Sequence, residues 1–154
     1  MEKTRNRGRQ YVLRLLTIKD RTAAELVDKL RRKGFTEDVT SSIIAEMKDL
    51  GYVDDKRYAM HFAEVRANYD LFGPYRIRVE LEKRGIAREM AKDTVSCVFQ
   101  EGKEEANALE LARRWIARKD TDDIERAGRR LYGYLARRGF TPDVVRRTLR
   151  QVLK

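Results

Sequence analysis

The chain is expected to be all-α, and three features of its 154 residues point that way. Apolar residues recur at i, i+3, i+4 and i+7 along most of its length, while no alternating run of Val, Ile or Thr exceeds three or four residues. Only two prolines occur against nine glycines, and most of the glycines stand singly where an apolar stripe stops. Charged residues make up 39% and hydrophobic residues 42%. That mixture suits narrow stripes on many helices better than one thick core.

Taken in order, residues 1–8 have no apolar face and are expected to form a flexible basic arm. A first helix covers about 9–19, with Tyr11, Val12, Leu15 and Leu16 inward. Thr22 and Glu25 have the spacing of a capping box, and behind them Ala23, Leu26, Val27 and Leu30 form a stripe that Gly34 ends. Thr36 caps a third helix with Glu37 and Asp38 in its first turn and Val39, Ile43, Met47 and Leu50 facing in; Gly51 stops it.

Asp54 is placed to cap the next helix, in which Tyr58, Phe62, Val65 and Tyr69 make an apolar stripe. Gly73-Pro74 breaks it and starts another helix, Pro74 suiting the first position. There Ile77 and Leu81 face the core, and Gly85 supplies the left-handed end. Cys97 falls on an apolar helical pattern with Val98 and Phe99. Further on, helices cover about 103–119 (Leu109, Ala112, Ile116) and about 122–138 (Ile124, Ala127, Leu131, Tyr134, Leu135). Thr141-Pro142-Asp143 then starts the last helix, which buries Val144, Val145, Leu149, Val152 and Leu153.

Three glycine turns align without gaps. Leu30-Arg31-Arg32-Lys33-Gly34-Phe35 matches Leu81-Glu82-Lys83-Arg84-Gly85-Ile86 and Leu135-Ala136-Arg137-Arg138-Gly139-Phe140. Leu26, Ile77 and Leu131 precede each leucine by four, and Val39, Met90 and Val144 follow each glycine by five. The sequence therefore reads as three tandem three-helix modules, 9–51, 52–102 and 103–154, stacked as an elongated, curved rod.

The inventory of reactive groups is thin. His61 and Cys97 each occur alone, so no internal disulfide and no zinc set can be assembled from them. Asp54 and Asp55 are explained by capping, and no Gly-rich phosphate loop is present. No catalytic, cofactor-binding or metal-binding residue is assigned, and a non-enzymatic, monomeric, cytoplasmic protein without a membrane span is expected. What the sequence offers instead is charge. The net +10 divides into +4 for residues 1–50, zero for 51–102 and +6 for 103–154. Candidate partner contacts are Arg31, Arg32 and Lys33 at one end and Arg137, Arg138, Arg146, Arg147 and Arg150 at the other. Arg57, Arg66 and Arg76 lie between them, beside Tyr58 and Tyr75. Arginine forks suit phosphate or carboxylate. Two readings fit: a rod that lies along a filament or groove, and a helix-turn-helix DNA-binding transcriptional regulator.

The central stretch adds a resemblance. Gly51-Tyr52-x-Asp54-Asp55-x-Arg57-Tyr58-Ala59-x-x-Phe62, then Arg66, then Gly73-Pro74-x-Arg76-Ile77-x-x-Glu80-Leu81-x-x-Arg84-Gly85-Ile86 resembles the signature of the RecX family of bacterial recombination regulators. The likeness extends by pattern over nearly the whole chain, although Ala87 stands where an N-cap is expected. The resemblance implies a helical rod in the groove of the RecA–single-stranded DNA filament, inhibiting its ATPase, strand exchange and coprotease activities. Through them it would temper DNA repair and the SOS response.

Overall fold

A computed structural model describes residues 2–119 and 121–153. Among them are nine helices and no strand: α1 Glu2–Ile18, α2 Ala23–Arg32, α3 Glu37–Asp49, α4 Asp55–Asn68, α5 Pro74–Lys83, α6 Arg88–Val98, α7 Lys103–Arg118, α8 Ile124–Arg137 and α9 Pro142–Val152. The punctuation read from the sequence accounts for their ends. Thr22 and Glu25 form a complete capping box on α2, and the Asp54 carboxylate accepts from the Arg57 amide at 3.1 Å. At the start of α9 the roles differ, because Thr141 donates both its amide and its hydroxyl to Glu104 of α7.

The helices pack in consecutive triplets, and every pair in extensive contact lies within one triplet. Three separate cores follow. The first gathers Val12, Leu26, Leu30, Ile43 and Met47, the second Ile77, Leu81, Ile86 and Val95 around three alanines of α4, and the third Leu111, Leu131, Leu135, Phe140 and Val145. A compact protein of 18.1 kDa exposes about 8,100 Å². This one exposes 9914 Å². The excess is what small bundles in a row produce, and the molecule is elongated.

Gly34, Gly85 and Gly139 share one conformation, with φ of 94°, 91° and 98°. In each turn the glycine amide donates to the carbonyl three residues back in the helix end and the next residue donates to the leucine carbonyl, as in Phe35 to Leu30, Ile86 to Leu81 and Phe140 to Leu135. Two of the three turns also join modules. The carbonyls of Arg138 and Gly139 accept from the amides of Gly73 and Tyr75, at 2.7 and 3.0 Å, so the end of α8 caps the start of α5. The Arg84 carbonyl at the end of α5 accepts from the Thr22 hydroxyl at 2.6 Å, and Asp55 accepts from the Ala23 amide at 2.8 Å. The middle helices of the modules thus stand head to tail, negative end to positive end. Gly34, in the first module, has nothing within 4 Å of the place a Cβ would take.

Several expectations need correction. The flexible arm 1–8 is instead the beginning of α1 from Glu2 onward. Gly8 is buried against Ile43 and Phe35, Arg7 lies over the Phe35 ring, and Arg5 and Arg9 reach Glu46 of α3 at 3.5 and 2.9 Å. Here a helical segment is held by ion pairs and a missing side chain, which an apolar stripe does not advertise. In α4 the buried face is Ala59, Ala63 and Ala67; Tyr58 and Phe62 are half-buried and Tyr69 is exposed. Alanines at this spacing let α4 approach α6 closely, which pushes the larger rings to the flank. Leu50, Ile124 and Cys97 are also exposed.

Deleting residues 2–8 is therefore expected to destabilise the protein by about 1–2 kcal/mol, through lost packing and paired charges. A thermal melt should show Tm lower by about 3–6 °C. An unchanged melt would restore the loose arm.

Candidate functional site

The candidate cations separate into three groups once their neighbours are seen. The first group holds the protein together. Arg66 pairs with Asp70 at 3.0 Å and Glu80 at 3.4 Å and lies over the Phe62 ring. Arg76 reaches Glu80 at 3.6 Å and lies 3.8 Å from the Phe72 ring centre. Arg138 lies over Phe72 from the third module while also covering Tyr134. Arg84, which the charge patches did not include, also lies over the Phe62 ring and donates to the Tyr58 hydroxyl at 3.1 Å. These guanidiniums are clamps on aromatic rings.

The second group is exposed but occupied, by a carboxylate in every case but Lys33. Arg31 pairs with Glu37 at 2.8 Å, Arg32 with Asp28 at 3.1 Å, Arg147 with Glu105 at 3.4 Å and Arg146 with Asp143. Arg57 bonds the Gly51 carbonyl and lies 3.9 Å from Asp54. Lys33 sits over the Tyr11 ring. Exposed pairs of this kind are worth little and exchange readily for a partner's anion.

The third group has no anionic partner among the described residues. Arg137 lines a cleft of about 440 Å³ together with Trp115, Arg118, Lys119, Tyr134 and Arg138. No carboxylate of the described residues faces it. Arg118 and Lys119 were not among the residues picked out from the sequence, because they close α7 far from Arg137 in the chain. Arg150 is exposed on α9, apart from this cleft. A second hollow of about 170 Å³ joins Asp20 to Tyr58, His61, Phe62, Val65 and Arg66 at the seam of the first two modules. Among the described residues no three His, Cys, Asp or Glu side chains group as a metal site, and no helix is long and apolar enough to cross a membrane.

Comparison with known proteins meets this architecture triplet by triplet. Residues 9–47 match the first three-helix domain of RecX, 54–95 the second and 103–149 the third. The chain belongs to the RecX family. "Regulatory protein RecX" of Mycobacterium sp. (strain KMS) is 34% identical over 138 residues, covering 87% of this chain and 75% of that one. Its counterpart in Thermobifida fusca is 32% identical over 148 residues, covering 96% and 80%. The crystal structure of RecX from Lactobacillus salivarius superposes with a TM-score of 0.90 at 26% identity, over 99% of this chain and 98% of that one. The RecX domain order thus coincides with the three cores, and the clamped rings of Phe62 and Phe72 both lie within its second domain.

Proposed function

We propose that this RecX protein is a non-enzymatic regulator that binds the RecA–single-stranded DNA filament along its helical groove, acting as a monomer in the cytoplasm. It inhibits the recombinase's ATPase, strand exchange and coprotease activities, and so tempers recombinational repair and the SOS response. The observation that carries the reading is the row of three separately cored modules with accessible cations in both outer modules. A rod of this kind spans several repeats of a polymer, and each contact after the first is intramolecular. Arg31, Arg32 and Lys33 anchor the first module and Arg137, Arg146, Arg147 and Arg150 the third. The middle module, where Arg66 and Arg76 are occupied internally and Arg57 is exposed, fixes the spacing.

The test is recombinase ATPase on single-stranded DNA, titrated with this protein at low and at physiological salt. Half-inhibition is expected to need more protein at the higher salt. Reversing Arg31, Arg32, Arg137, Arg146 and Arg147 to glutamate, with Arg138 kept because it clamps a junction, is expected to weaken inhibition at least about tenfold, as loss of several charge contacts implies. A folded variant that inhibits like the parent refutes the anchoring. Tight, sequence-selective duplex binding with no effect on the recombinase would instead establish a transcriptional regulator.

A further inference from the structure

The joints between modules repeat one kind of surface, and that surface is left open at both ends of the row. At the joint of the third and second modules the Arg138 and Gly139 carbonyls take the amides of Gly73, which precedes α5, and Tyr75, its second residue. The matching positions at the end of α2 are Lys33 and Gly34, whose carbonyls accept nothing among the described residues. At the start of α8 the positions matching Gly73 and Tyr75 are Asp123 and Glu125. Their amides have no acceptor among the described residues, and the Asp123 carboxylate takes the Arg126 amide. We propose that the Gly34 end of one molecule receives the α8 start of a second copy of this chain, so that the α8–α5–α2 row continues from molecule to molecule.

Gly34 keeps the left-handed conformation of Gly85 and Gly139. At those two a Cβ would run into the Ala24 Cβ and the Arg76 backbone, because a helix start is seated there; at Gly34 the same space is empty. The first residues of the helices agree. Ala23 of α2 is buried and Pro74 of α5 half-buried, whereas Ile124 of α8 is 51% exposed. A turn seated on α8 would take that side chain out of water. Charge is complementary as well: Lys29, Arg31 and Arg32 fill the last turn of α2, with Lys33 after them, while Glu125 stands in the first turn of α8 behind Asp123. Each end calls for what the other presents, and the chain already fits such ends together twice within itself.

Inside the chain these joints are intramolecular; between copies the same small joint stands alone. Free copies are expected to associate only at about 0.1–1 mM, so dilute protein stays a monomer. Copies laid end to end on one polymer meet at a far higher effective concentration. Because the two surfaces differ, the contact does not close at a dimer.

The experiment is sedimentation equilibrium of the intact protein from about 0.02 to 1 mM. The weight-average mass is expected to climb from the 18.1 kDa monomer without levelling off. Gly34→Ala fills the seat and Ile124→Lys sets an ammonium against a cationic end; either variant alone is expected to remain a monomer. Gly51→Ala imposes left-handed strain at φ of 81° with nothing within 4 Å, beyond α3 and outside the row, and is expected to associate like the parent. An equal mixture of the Gly34→Ala and Ile124→Lys proteins, each with one end intact, is expected to stop at twice the monomer mass. A parent that stays monomeric or levels off as a dimer overturns the assignment. So does a mixture that stays monomeric, a Gly34→Ala or Ile124→Lys protein that climbs like the parent, or a folded Gly51→Ala protein that does not. None of these measurements involves the recombinase, so the filament reading stands or falls separately on its ATPase titration.

Discussion

Gly139→Ala is expected to destabilise the protein by about 3–5 kcal/mol, by adding overpacking and hydrogen-bond loss to backbone strain. A non-glycine residue at φ of 98° is strained by about 1–2 kcal/mol wherever it occurs. The larger part comes from the junction. A Cβ here would stand 2.4 Å from the Arg76 nitrogen and 2.5 Å from its Cβ, so α5 must retreat. Retreat pulls apart the two backbone hydrogen bonds that Gly73 and Tyr75 make to the end of α8. Gly34→Ala supplies the reference, since its φ of 94° imposes the same strain but nothing lies within 4 Å. Its loss should stop at about 1–2 kcal/mol. Gly85→Ala meets the Ala24 Cβ and falls with Gly139→Ala. Urea denaturation of the three variants checks the order. Equal losses would mean that the turns matter only locally and the modules do not lean on one another.

Asn107→Ala is expected to lower stability by about 2–4 kcal/mol, because it strips the partner from two carbonyls at once. Asn107 is 3% exposed, and its amide nitrogen donates to the Ala67 carbonyl at 2.8 Å and the Phe72 carbonyl at 3.3 Å. Ala67 lies in the last turn of α4, where carbonyls have no helical donor. A side chain of the third module thus completes a helix end in the second. Asn107→Asp should be worse than alanine, since a carboxylate would face two acceptors. Hydrogen exchange read at residues 67–73 should quicken in both variants. A loss under about 0.5 kcal/mol would show that water takes over the amide's role.

The tripled glycine turn was legible because it is local: a leucine, a left-handed glycine and an apolar residue within six positions encode the same helix end each time. Membership of the module in a head-to-tail row was not, since it depends on which backbone groups of a distant helix meet that turn. The interface candidates were legible as charge and illegible as availability. Arg66, Arg76 and Arg138 look like any exposed arginine until the rings beneath them are known. One signal was present, however. Phe62 and Arg66 in α4, and Tyr134 and Arg138 at the end of α8, are each four residues apart, the spacing at which a ring and a guanidinium can meet on one helical face. Residues 2–8 went unrecognised because Gly8 contributes by lacking a side chain, and the α4 stripe was misplaced because alanines carry a weak hydrophobic signal beside tyrosine and phenylalanine.

The α8–α5–α2 row gives the molecule a sense of direction. Each joint couples bare carbonyls on one side to bare amides or a hydroxyl on the other, so turning any bundle end for end would set acceptor against acceptor. The two tips are consequently unlike: one finishes in the unobstructed Gly34 bend, the other in α8 sealed by the Asp123 carboxylate. An arrow-shaped body of this sort, set on any track that itself has a forward and a backward, lies on it one way round.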